Sequence, residues 1–191
     1  MSFFCRIRRY FEDLWHKICA CRWKALLCVV IATLGVAVGV ALFKAFAFSW
    51  WYYNRCAFAD KLFMGGFSIF VLFVIGSLVY YLVIVSCNLI PQTRFLNFVL
   101  LFVAGFYCGA NTAATIECWS VWGVLYAILV ALPELITYIL ASFLASCEYP
   151  ACRTFRESLC DFRHCLLILG IGLAIKTLTF FVILQIITAV I

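Results

Sequence analysis

A chain of 191 residues that is 68% hydrophobic and 12% charged, with a mean hydropathy of +1.16, lacks the polar side chains to coat a soluble globule of its size; ordinary soluble domains carry roughly 25% charged residues. The composition predicts an all-α integral membrane protein, since a spanning segment must satisfy its own backbone polar groups and no run shows the alternation of a barrel strand. The net charge of +6 follows from membrane topology rather than from a soluble basic face, so no nucleic-acid partner is expected.

The first 24 residues are amphipathic. Phe3, Phe4, Ile7, Tyr10, Phe11, Leu14, Trp15 and Ile18 recur at helical spacing, while Arg6, Arg9, Glu12, Asp13, His16 and Lys17 fill the other face. This pattern predicts an interfacial helix over 1–24 on the cytoplasmic leaflet, with Arg6, Arg9 and Lys17 toward anionic headgroups and Trp15 at the membrane surface. The plainer alternative is a solvated basic tail that only enforces topology. AFA at 45 to 47 resembles a signal-peptide cleavage site, but the apolar run before it is longer than a typical h-region.

Residues 25–191 then form a five-helix transmembrane domain. Five apolar runs, at about 25–48, 62–87, 95–114, 119–146 and 165–191, each reach the 18 or so residues that a helix rising about 1.5 Å per residue needs to cross about 30 Å of hydrocarbon. The third, with Asn97 and Asn111, is the least apolar. Outside these runs ten basic residues (Arg6, Arg8, Arg9, Lys17, Arg22, Lys24, Arg94, Arg153, Arg156 and Arg163) fall on one side and two, Arg55 and Lys61, on the other. The bias places the N-terminus in the cytoplasm and the C-terminus outside.

Two charges lie deep inside these runs. Glu134 is 12 residues from Ser146 and Lys176 is 11 residues from Cys165, so both sit roughly 17–18 Å from the cytoplasmic end. A lone carboxylate at that depth costs roughly 2.5–3.5 kcal/mol on insertion scales, so equal depth on consecutive antiparallel helices predicts an intramembrane Glu134–Lys176 ion pair. Pro133 beside it removes a backbone hydrogen bond and frees a carbonyl near residue 129, which predicts a kink. The pair reads either as a clasp fixing how the fourth and fifth helices pack, or as a relay in a small transporter or channel. Lys44, near the outer end of the first run, can reach the interface with its stem.

Small residues predict close helix packing. Gly35 with Gly39 and Gly105 with Gly109 form GxxxG pairs, Gly123 opens the fourth run, and Gly170 with Gly172 flatten part of the fifth. Intrachain packing is the first reading of these glycines and a homo-oligomer contact the second. Twelve cysteines add two further candidates. Cys147, Cys152, Cys160 and Cys165, near His164, could hold zinc, although their spacing is no common template; otherwise they are small polarisable filler in a reducing setting. Cys56 and Cys118 fall in loops assigned to the outside, where a disulfide could join them. The only histidines, His16 and His164, are placed at the cytoplasmic face, and no hydrolase or phosphate-binding motif is present. No enzyme activity and no cofactor are therefore expected.

The run GFYCG at 105–109, WGVLYAIL at 122–129 and ALPE at 131–134 resembles the stage II sporulation protein M family of bacterial membrane proteins, with Gly105, Gly109, Gly123, Leu132 and Pro133 in matching order. The motif match covers 99–146, and the five-helix layout is similar over 25–191. Where many members carry a polar pair or a histidine after the LP motif, this chain has Glu134 and Leu135, and no second proline occurs before Pro150. The cysteine abundance also differs. The resemblance implies a non-enzymatic scaffold in the bacterial plasma membrane that holds a peptidoglycan-degrading engulfment machine at the septum with stage II sporulation proteins P and D.

Overall fold

The computed structural model describes residues 12, 15, 16, 18–46, 52–54, 56, 57, 67–89, 95–147 and 163–190. Their elements are helical throughout: α1 (Arg22–Ala45), α2 (Phe67–Leu89), α3 (Leu96–Trp119), α4 (Val121–Tyr126), a π-helical turn (Ala127–Ala131), α5 (Leu132–Cys147) and α6 (Arg163–Val190). Among the described residues, four helical stretches are long and apolar enough to cross a membrane: Arg22–Ala45, Leu96–Trp119, Val121–Ser146 and Cys165–Val182. Four such stretches suit a multi-pass membrane protein. α2, 23 residues long, is apolar along its length.

Helix ends differ from the expected run ends for physical reasons. Cys21 is a turn and α1 begins at Arg22, so Arg22, Trp23 and Lys24, assigned from sequence to the tail, belong to the first long helix. A helix can carry basic residues in its first turns when their stems lie along apolar surface and their heads reach out. Lys24 Nζ uses that reach to donate to the Ser146 carbonyl at 3.1 Å, satisfying an acceptor at the end of α5. Of the expected surface residues, Trp15 is exposed, whereas Arg6, Arg9 and Lys17 lie outside the described residues.

The third helix overruns its apolar window, ending at Trp119 rather than near residue 114. Apolarity marks where hydrocarbon can lie, not where backbone hydrogen bonding stops. Thr115 fits the extra turns by donating its hydroxyl to the Thr112 carbonyl at 2.9 Å. The helix then breaks at one residue. Ser120, at φ 46° and ψ −112°, is the one described non-glycine with positive φ, and α4 starts directly after it. So abrupt a reversal brings α4 hard against α3, where a Cβ on Gly123 would collide with the Thr115 carbonyl.

Helix direction follows from which residues meet. Gly105 lies against Ala32 and Gly109 against Val36, while Gly35 lies against Phe102 and Gly39 against Phe106; the numbers rise together, so α1 and α3 are parallel. The chain between them must therefore run back, and α2, about 34 Å long at 1.5 Å per residue, is the described element that does so. Ser77 bonds to Tyr138 and Tyr80 to Ser142, giving α2 the direction of α5. Cys165 meets Ala141 and Lys176 meets Glu134, so α6 is antiparallel to α5. Directions thus alternate along the chain. The largest buried cluster, including Ala32, Ile84, Leu101, Phe143, Leu144 and Ile168, joins all five long segments near one end.

Candidate functional site

Two constructions stand out inside the bundle, one made of glycine and one of charge. Along the α1–α3 seam, Gly35, Gly39, Gly105 and Gly109 are all buried, and a Cβ on any of them would collide with backbone carbonyl of the facing helix. Each pair of glycines is thus a shelf for the other helix's backbone, the close approach that small residues four apart permit. These four glycines pack within the chain.

The charged construction begins with a proline. Pro133 has no N–H to give the preceding turn, and an α-helix reaching it would lose a bond. The sequence resolves this in the turn before it: Ala127–Ala131 is π-helical, and the Leu132 N–H bonds to the Ala127 carbonyl, five residues back. A π turn inserts one extra residue and rotates everything beyond it. The turn before Pro133 thus carries a register shift. Lys176, one candidate for the freed carbonyl, goes to the carboxylate, while the Cys108 thiol reaches the Ala131 carbonyl at 3.7 Å.

Glu134 stands three residues beyond the π turn. Its Oε1 accepts from Lys176 Nζ at 2.5 Å and from the Tyr138 hydroxyl at 2.9 Å. The lysine and glutamate side chains are 8% and 21% exposed, so both charges are withdrawn into the protein. In low dielectric, such a pair repays desolvation only with short geometry and additional hydrogen bonds; Tyr138 supplies one.

Local packing sets that geometry. The Thr137 hydroxyl donates to the Glu134 carbonyl at 2.7 Å, and a Cβ on Gly172 would collide with the Thr137 side chain. Gly172 lies one turn from Lys176, and Thr137 one turn from Glu134, on the facing sides of α6 and α5. The glycine lets α6 come near enough for the ammonium to reach the carboxylate. Gly170, by contrast, faces open space and does not take part.

The clasp extends to a third helix. The Tyr138 ring packs on Tyr80 of α2 with centroids 4.2 Å apart, its hydroxyl also bonds with Ser77, and the Tyr80 hydroxyl bonds with Ser142 at 2.9 Å. A polar track therefore links α2, α5 and α6 through Ser77, Tyr138, Glu134 and Lys176. The two charges were legible in the sequence; Tyr138, Thr137, Ser77 and Tyr80 were not. The available signal was the four-residue spacing from Glu134 to Tyr138.

Other candidates resolve differently. Cys165 is buried and its thiol faces the Ala141 carbonyl at 3.5 Å. Cys152 and Cys160 lie outside the described residues, and no group of metal-ligating side chains occurs among the described ones. Lys44 is exposed in the last turn of α1. Asn97 is fully buried, with neither Oδ1 nor Nδ2 hydrogen-bonded. No family model matches the chain, and no curated protein or solved structure matches it.

Proposed function

We propose that the chain is a membrane scaffold without catalytic activity of its own. It crosses the bilayer five times, with its N-terminus in the cytoplasm, its C-terminus outside, and residues 1–24 lying on the inner leaflet. The alternating helix directions and the ten-to-two basic asymmetry support that arrangement.

One observation carries the scaffold reading: the single oxygen Oε1 of Glu134 holds both the Lys176 ammonium and the Tyr138 hydroxyl. The deep charges are spent on each other and on joining helices, which suits a rigid platform. The resemblance over 99–146 adds a partner class, peptidoglycan hydrolases assembled with stage II sporulation proteins P and D, and rests on those motif residues alone.

A second reading, a small transporter or channel gated by the same pair, draws on the π turn. Such turns are frequent at functional sites, and this one ends three residues before Glu134. Affinity purification from the native membrane under gentle solubilisation separates the two. Stoichiometric recovery of cell-wall hydrolases supports the scaffold and the family resemblance, and recovery of other stable partners supports the scaffold alone. A lone protein that conducts ions or solute in liposomes overturns it.

A further inference from the structure

At the far end of the bundle from the Lys24–Ser146 contact, Tyr52 and Cys56 lie against a cluster formed by α1 and α3. Tyr52 stacks on Phe43 with centroids 5.0 Å apart, and Tyr52 and Cys56 pack on the buried cluster of Phe43, Ala113 and Ala114. The Tyr52 hydroxyl hydrogen-bonds with Cys56 and lies within electrostatic reach of Glu117 and Cys118. Cys118 is four residues beyond Ala114, so it stands one turn further along the same face of α3. Cys56 is half-buried, Cys118 is exposed, and no disulfide joins them in the structure.

We propose that Cys56 and Cys118 are a dithiol that closes to an intramolecular disulfide, locking the segment after α1 onto the end of α3. The pairing of these two residues rests on packing: Cys56 packs on the cluster that Phe43 forms with Ala113 and Ala114 of α3, Cys118 is the next cysteine along that face of α3, and Tyr52 lies near both. Cys108, ten residues before Cys118 on α3, is engaged with the Ala131 carbonyl, and Cys28 is buried near the opposite end. Cys118 is also reachable by an oxidant.

The chemistry is thiol–disulfide exchange with a low-molecular-weight disulfide such as oxidised glutathione. One cysteine loses its proton and its thiolate attacks the oxidant's S–S bond, releasing one glutathione thiolate and leaving a mixed disulfide. The second cysteine thiolate then attacks the protein sulfur of that mixed disulfide and releases the second glutathione. Two electrons pass from the dithiol to the oxidant, and the two protons end on the two glutathione thiols. Which compartment supplies the oxidant rests on the orientation proposed above; the ability of the bond to close does not.

The full-length protein, reduced and reconstituted in nanodiscs, is equilibrated with oxidised glutathione. Remaining thiols are blocked with a maleimide mass tag and peptides are mapped. The expected result is protection of Cys56 and Cys118 together, as one peptide-linked pair within a single chain, at least tenfold above protection of the exposed Cys19. Cys56→Ser should return Cys118 to full labelling or leave it as a glutathione adduct, and Cys118→Ser should do the same for Cys56. Labelling of both cysteines in the wild-type protein, stable glutathione adducts on both, or a bridge between two copies would overturn the proposal. If the bond closes in nanodiscs but on intact cells both thiols label with a membrane-permeant maleimide and not with an impermeant one, the dithiol stands and the proposed orientation is lost.

Discussion

The glycine seam between α1 and α3 and the charged clasp between α5 and α6 do the same work by opposite means. At the seam, the helices touch because four positions carry no side chain, and the contact is backbone on backbone. At the clasp, the helices touch because two long side chains and a tyrosine meet on one oxygen. In lipid there is little hydrophobic force between helices, so association must come from close packing or from polar bonds. The seam admits no replacement at its glycines, since any added atom meets a carbonyl. The clasp should admit paired replacement, because what it cannot tolerate is one charge without the other.

The largest effect should come from breaking the clasp on one side. Lys176→Met leaves the Glu134 carboxylate buried beside Tyr138 without its counter-charge, a loss of about 3–5 kcal/mol for an orphaned buried partner. Unfolding measured in bicelles should show it. Next comes the seam: Gly39→Leu pushes α1 off the Phe106 carbonyl and should cost about 1–3 kcal/mol or more as overpacking. A cysteine crosslink between α1 and α3 would report the widened gap. Tyr138→Phe removes the bond to Glu134 within α5 and the bond to Ser77 of α2 but keeps the ring on Tyr80, so roughly 0.6–1.7 kcal/mol is expected, the range of interhelical hydrogen bonds in membranes. Gly170→Ala, which faces open space, should stay within about 0.5 kcal/mol of wild type. A loss at Gly170 as large as at Gly39 would mean that small residues are needed everywhere, and the comparison would dissolve.

Parts of both constructions are legible in the sequence, by different signals. The glycines were visible as GxxxG pairs, and which helices they join followed only from the fold. Glu134 and Lys176 could be matched because charges are rare in apolar runs and depth can be counted from either end. Their supporting residues were hidden for the same reason that the helices were easy to find: in segments apolar all round, periodicity does not say which face is inside. Tyr138 and Ser77 look like ordinary membrane-helix residues until α2 is placed against α5. The π turn was illegible because Pro133 announces a missing bond without saying whether a bend or an added residue will absorb it. The single-residue turn at Ser120 had no signal, since neither glycine nor asparagine marks its positive φ.

The central claim is that Glu134 and Lys176 hold helices together rather than carry a proton or an ion. A double-mutant cycle tests it most directly, comparing Glu134→Gln, Lys176→Met and the double variant for unfolding free energy and retention of co-purifying partners. The account predicts that both single variants are destabilised, that the double variant recovers to within about 1 kcal/mol of wild type, and that it keeps its partners. A double variant that folds as stably as wild type but has lost all function would contradict the account and make the pair a relay.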